Sequence, residues 1–233
     1  TNYSISALNE TALLVSFGNI IDVDINDLTL QLQQAFSKNN FTGFIETVPA
    51  YSSLTVFYNP AIVRENNKTN EPAFSFVKNL TEKIIDELPE LSQPKNKREI
   101  IIPVYYKGED LETVAKINQL TIDEIIQIHT GNSYRVFMIG FQPGFAYMGK
   151  LDERIVTPRL ASPRTKVPAG SVGIAGDQTG IYPFASPGGW QLIGQTPIKI
   201  FDMKKDIPCL FKPGDEVKFI SIGKTEFEQI NVY

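Results

Sequence analysis

Residues 140–197 constrain this chain more than any other stretch. They read GFQPGFAYMGKLDERIVTPRLASPRTKVPAGSVGIAGDQTGIYPFASPGGWQLIGQTP and hold ten of the 16 glycines, seven of the 15 prolines and the one tryptophan, Trp190. No Asp, Glu, Lys or Arg occurs between Asp177 and Pro197. Glycine permits positive φ and close backbone approach, and proline fixes φ and removes a donor, so such a run specifies a backbone path tightly. Glycine and proline alternate here with Phe141, Phe145, Tyr147, Tyr182, Phe184 and Trp190. That pattern suits many short strands and turns in a closed or folded β barrel better than a central parallel sheet. Tightly specified loops on a rigid scaffold are also where binding and chemistry concentrate.

The rest of the chain reads as α+β. Apolar signals at residues 3–17 predict short strands around an Asn9-Glu10 turn. Leu28, Leu32 and Phe36, four apart, predict a helix capped by Asp24 or Asn26. Two strands are expected between Phe44 and Tyr58, the second ended by Pro60. Residues 66–70 read as polar loop, and a helix is expected over Ala73–Leu88. This first section fits a small α+β domain over residues 1–89, with helices on one face of a sheet as in ferredoxin-like layouts. Residues 90–99 carry Pro94 and a polar, basic run and read as a linker. A mostly-β domain over residues 100–233 follows, opening with a strand at Ile100–Tyr106. Helices are expected at Asp110–Ile117 and Thr121–Ile128, with Thr121 and Glu124 spaced as a capping box. Further strands are expected at Tyr134–Ile139, Ser171–Ala175, Leu192–Phe201 and Val217–Ile222.

Composition removes several function classes. A net charge of −4 without a dense basic patch gives no electrostatic case for nucleic acid. One cysteine, Cys209, excludes an intrachain disulfide framework, and one histidine, His129, excludes a histidine metal cluster. No metal site is expected. No apolar run is long enough to span a membrane and no leader is visible, so a cytoplasmic location is expected. Residues 140–145 lack the glycine spacing of a dinucleotide fingerprint, and GSVGIAG at 170–176 is neither a P-loop nor a serine elbow.

Individual residues leave alternatives open. His129 stands at a predicted helix end, where it serves as a cap, a packing residue or a catalytic base. Arg159, Arg164 and Lys166 suit a carboxylate or phosphate, or salt bridges to Asp152, Glu153 or another chain. Gln178, Gln191 and Gln195 suit reading of an amide or satisfaction of turn backbone. Tyr182, Phe184 and Trp190 suit a pocket or an aromatic core. Gly188-Gly189 suits an oxyanion site or a plain turn.

Several long segments carry a family resemblance. GFQPGFAYMG, TPRLASPRTKVPAGSVGIAG, QTGIYPFASPGGWQLIGQTP, FKPGDEVKF, FGNIIDVDIN, VPAYSSLTVFYNP and TIDEIIQIHTGNSYRVFMIGF together resemble the family of B-type 5-oxoprolinase subunits, also described as allophanate hydrolase subunit 1 and as carboxyltransferase subdomain C and D. The resemblance implies that the C-terminal domain is a cyclophilin-like β barrel. It implies a non-autonomous subunit of an ATP-dependent enzyme that opens 5-oxo-L-proline to L-glutamate, with ATP used at the level of the complex. It implies two partners. One is a larger allophanate hydrolase subunit 2-like chain, the C-type 5-oxoprolinase component, and the other a lactam-utilisation-like chain, the A-type component. It carries two other readings: a protein inhibitor of a sensor histidine kinase, and a carboxyltransferase half in urea or allophanate metabolism. The residues it brings forward as catalytic are His129, Arg159, Arg164 and Gln178. Those it brings forward for the pocket are Pro143, Gly144, Phe145, Tyr182, Gly188, Gly189, Trp190 and Gln191.

Overall fold

The computed structural model describes residues 2–66, 71–89 and 98–230, and the chain divides into two compact units, residues 1–95 and 96–233. The expected linker, apart from Arg98 and Glu99, and the expected polar loop, apart from Asn66, lie outside the described residues. The fold is mixed α/β.

The first unit holds strands β1 (Ser4–Asn9), β2 (Ala12–Ser16), β3 (Phe44–Pro49) and β4 (Ser53–Tyr58), and helices α1 (Val23–Lys38), α2 (Pro60–Asn66) and α3 (Ala73–Asp86). Its sheet runs β1-β2-β4-β3, every pair antiparallel. Two strands precede α1, where a ferredoxin-like layout has one. Alternation along β2 and β4 turns Leu13, Val15, Leu54, Val56 and Tyr58 inward, and Leu32, Phe36, Val77 and Ile84 from the helices complete the core. The cap of α1 is Asp22, not Asp24 or Asn26. Asp22 is extended, and its Oδ1 accepts from the Ile25 amide at 3.0 Å. Asn26 is instead buried, its Nδ2 donating to the Tyr51 carbonyl at 3.2 Å. Pro60 does more than end β4: it starts α2, with Asn59 Oδ1 accepting from the Ala61 and Ile62 amides.

The second unit holds β5 (Glu99–Val104), α4 (Leu111–Asn118), α5 (Ile122–Gly131), β6 (Ser133–Ile139), β7 (Ala146–Gly149), β8 (Arg164–Val167), β9 (Ser171–Ala175), β10 (Gln178–Ile181), β11 (Ser186–Gly188), β12 (Gln191–Gln195), β13 (Glu216–Ser221) and α6 (Lys224–Ile230). The capping box is formed: Thr121 Oγ1 accepts from the Glu124 amide, and Glu124 Oε2 accepts from the Thr121 amide. Seven strands form one sheet in the order β12-β9-β10-β7-β6-β13-β5, with β13 and β5 parallel and the other pairs antiparallel. Its two edges meet at a bridge. Tyr105 N donates to Gln195 O at 2.8 Å, and Gln195 N donates to Tyr105 O at 3.0 Å. The sheet is thereby a nearly closed barrel. This closure ends β12 at Gln195, short of the expected Phe201. β8 and β11 form a separate two-stranded sheet. Strands β7, β8, β10 and β11 and helix α6 are not foreshadowed by the sequence pattern.

Candidate functional site

The barrel wall is apolar on both faces. Ala146, Met148, Ile174, Ile181 and Ile193 belong to the interior core with Val136, Tyr134 and Phe219. Their neighbours Phe145, Ala175, Tyr182, Leu192 and Trp190 form a second cluster, with Tyr147 packed against it. Period-two alternation therefore builds an aromatic layer on the outside of β7, β10, β9 and β12. A cavity of about 290 Å³ opens in that layer, walled by Phe141, Phe145, Tyr147, Tyr182 and Trp190, with Arg159, Pro163, Pro187, Gly188 and Gly189 completing it.

Glycine makes room for this layer. Gly180 and Gly173 are direct cross-strand partners on the outer face. A Cβ on Gly180 would come within 3.1 Å of the Trp190 ring and 3.2 Å of Phe145, and one on Gly173 within 3.2 Å of Trp190 Cβ. Gly188 has no space for a side chain because the Tyr182 ring lies against it. Phe145 packs edge-to-face on Trp190, Tyr182, Tyr147 and Phe141, with centroids 4.9–5.5 Å apart. Phe141 adopts positive φ (68°) and is 63% exposed, at the mouth of the cavity. Gly144 turns at φ 84° and abuts Phe201, while Pro143 is an exposed corner of the same turn.

Arg159 reaches the cavity from a pinned backbone. Gly176 N donates to Thr157 O at 2.8 Å, Gln191 Nε2 to Pro158 O at 2.9 Å, and Leu160 N to Gly189 O at 2.7 Å. The guanidinium carbon lies 5.8 Å from the Trp190 ring centroid. Among the described residues no carboxylate pairs with it. Its charge opposes the burial that raises the pKa of the Tyr147 and Tyr182 hydroxyls; at Tyr182 the Trp190 backbone is the larger opposing effect. Both stay protonated donors at neutral pH.

Arg164 stands outside the cavity lining. Its Nη2 donates to Asp110 Oδ1 at 2.5 Å and its Nε to Glu109 Oε2 at 3.1 Å. The other Asp110 oxygen accepts from the Leu192 amide at 2.6 Å. Burial lowers the guanidinium's proton affinity, and Asp110 with Glu109 more than reverses it, so its pKa stands above the ordinary value. Asp152, one of the salt-bridge partners weighed for these arginines, pairs with Arg154 instead.

His129 is fully buried inside the barrel, away from the cavity lining. Its Nδ1 lies 2.6 Å from the Tyr106 hydroxyl and its Nε2 3.0 Å from Thr179 Oγ1. Thr179 Oγ1 donates to the Gly173 carbonyl at 3.1 Å. A hydroxyl has one proton, so His129 Nε2–H donates to Thr179 and Tyr106 donates to Nδ1. Burial pushes the His129 pKa down from 6.5 to about 3, and the ring is neutral. Gln178 pairs with Gly149 and Ala175 at the start of β10, apart from the lining. Gln191 is buried, and its Oε1 has no partner among the described residues. Of the sequence-selected residues, the structure brings Phe145, Arg159, Tyr182, Gly188, Gly189 and Trp190 together. Phe141, Tyr147, Pro163 and Pro187 join them; the parity of Phe145 and Tyr147 about Ala146 was the available signal for Tyr147.

Among the described residues no group of three or more His, Cys, Asp and Glu side chains is placed to hold a metal ion, and no helix is long and apolar enough to cross a membrane.

Residues 3–211 match the family model for the carboxyltransferase domain, subdomain C and D. A Bacillus subtilis protein named as the B-type 5-oxoprolinase subunit is 44% identical over 229 residues, covering 97% of this chain and 95% of its own. A conserved uncharacterised protein from Pyrococcus horikoshii is 44% identical, covers 96% of this chain and all of its own, and superposes with a TM-score of 0.55. A Kluyveromyces lactis urea carboxylase shares the fold at a TM-score of 0.76 and 19% identity over 98% of this chain. The chain spans 22% of that carboxylase and about 40% of other solved chains that it matches. It belongs to the carboxyltransferase subdomain C and D family and, within it, groups with the proteins named as B-type 5-oxoprolinase subunits.

Proposed function

We propose that this chain is a non-autonomous subunit of an ATP-dependent 5-oxoprolinase. The reading rests on near full-length similarity to a protein named as the B-type 5-oxoprolinase subunit. The cavity outside the barrel wall is the part of the shared site that this chain contributes. Lactam, ATP and two waters give L-glutamate, ADP and phosphate: phosphoryl transfer to the lactam carbonyl oxygen releases ADP, water adds to that carbon, the C–N bond breaks as the ring nitrogen leaves as the protonated amine, and a second water cleaves the resulting acyl phosphate to carboxylate and phosphate. A larger allophanate hydrolase subunit 2-like chain and a lactam-utilisation-like chain complete the enzyme, in the cytoplasm. In this reading the second unit is a cyclophilin-like barrel. Its fold alone assigns no isomerase activity.

The test is reconstitution. Glutamate and ADP are measured with 5-oxo-L-proline and ATP, with each chain omitted in turn. Turnover in the complete mixture, lost when this chain is left out, supports the reading. A well-assembled complete mixture that makes no glutamate, or one that makes it equally without this chain, overturns it.

A further inference from the structure

The cavity wall carries a single formal charge. Arg159 is cationic, and every other lining residue is aromatic, proline or glycine. The guanidinium is held at Trp190 without a carboxylate partner among the described residues, on backbone fixed by Gln191, Gly176 and Gly189. Arg164, the other arginine of the stretch, is occupied by Asp110 and Glu109. A guanidinium beside flat apolar walls recognises a planar anion whose body stacks or packs on rings.

We infer that this cavity binds a small ring bearing one carboxylate, its ring against Phe145, Tyr182 and Trp190 and its carboxylate on Arg159. This rests on the proposed function, which makes the occupant 5-oxo-L-proline and gives Arg159 the task of holding the substrate end that does not react. The size agrees: about 290 Å³ lies at the lower limit of small-molecule clefts, which run from about 300 to 1,000 Å³. It leaves no place for a nucleoside triphosphate, whose phosphates need several cations or a cradle of amides. The division of labour follows: the lactam's carboxylate end is held here, and the ATP phosphates lie outside this cavity. Urea carries no charge and would leave Arg159 without a counter-ion.

Trp190 is the only tryptophan of the chain, so its fluorescence in the isolated full chain reports on the cavity directly. Three probes separate ring from charge: 5-oxo-L-proline, 2-pyrrolidinone (the same ring without the carboxylate) and acetate. The expected result is a saturable change with 5-oxo-L-proline, at least about tenfold weaker with the other two, and weakened about tenfold or more in Arg159→Met. In the reconstituted complex Arg159→Met should raise the KM for the lactam and leave the KM for ATP unchanged, which a general loss of folding would not do. Equal binding of 2-pyrrolidinone, or Arg159→Met with unchanged affinity and unchanged lactam KM, overturns the inference. Turnover of 5-oxo-L-proline with an unchanged KM in Arg159→Met sinks the anchor while the subunit reading stands. A carboxylate-dependent, Arg159-dependent signal in a chain whose complete complex makes no glutamate sinks the subunit reading while the anion site stands.

Discussion

Gly180 faces Gly173 across β10 and β9, and Trp190 lies against both. This pair explains why a barrel wall carries glycine in its strands, where glycine weakens a sheet. Bare backbone on the outer face admits the indole and Phe145, and those rings make the cavity floor. Gly180→Ala should destabilise the protein by about 1–3 kcal/mol through overpacking and shift the Trp190 emission. Gly131→Ala, at a helix end with open space around it, should stay within about 1 kcal/mol of the parent. Chemical denaturation followed by tryptophan fluorescence measures both. An unaltered spectrum and midpoint for Gly180→Ala would remove the packing argument.

Arg159 and Arg164 should separate cleanly. Arg164→Met leaves Asp110 buried without its cation and should cost about 2–4 kcal/mol. Arg159→Met, exposed and without an ion pair among the described residues, should change stability by less than about 0.5 kcal/mol. Urea midpoints compare the two. Equal losses would mean that Arg159 has a structural partner and that the two roles are not distinct.

His129 gives the barrel a dependence on pH. Its folded pKa is depressed to about 3 from 6.5. Between those values the unfolded chain binds a proton that the buried ring refuses. Stability from this group is fully present above about pH 6.5 and falls as pH drops towards 3, by on the order of 5 kcal/mol. His129→Gln should flatten that part of the slope. Denaturation midpoints measured from pH 7 to pH 4 test it, and parallel slopes for the two proteins would show that His129 is not buried neutral.

Much of this architecture is legible in residue order because its causes are local. Thr121 and Glu124 sit three apart and form the capping box that their spacing announces. Asn59-Pro60 carries an equally local helix start, which is obscured because proline also ends strands. The short strands β7, β8, β10 and β11 hide among the glycines and prolines that shape them. Non-local facts are another matter. Asp110 lies 54 residues from Arg164, so nothing in sequence separates that arginine from Arg159. The pairing of Gly180 with Gly173 needs the register of two strands, and the place of His129 inside the barrel needs its closure. The family resemblance selected most of the cavity residues, while the geometry sorted them into lining, clamp and core.

Thr121→Ala should cost about 1 kcal/mol by removing the side chain that accepts from the Glu124 amide. The thermal midpoint should fall while lactam turnover in the complex is kept, since α5 stands apart from the cavity lining. A loss of turnover at full stability would place α5 in the site.

In the proposed function the cavity outside the barrel wall belongs to the lactam-opening site. Gly189 lines it, and a Cβ there meets its nearest atom at 3.7 Å, an ordinary contact. Gly189→Leu can therefore fill the cavity without breaking the fold. The decisive measurement is lactam-dependent glutamate formation by a complete complex carrying Gly189→Leu, with assembly verified alongside. The expected result is an assembled complex whose turnover is lost. An assembled complex with unimpaired turnover and an unchanged KM for 5-oxo-L-proline would contradict it.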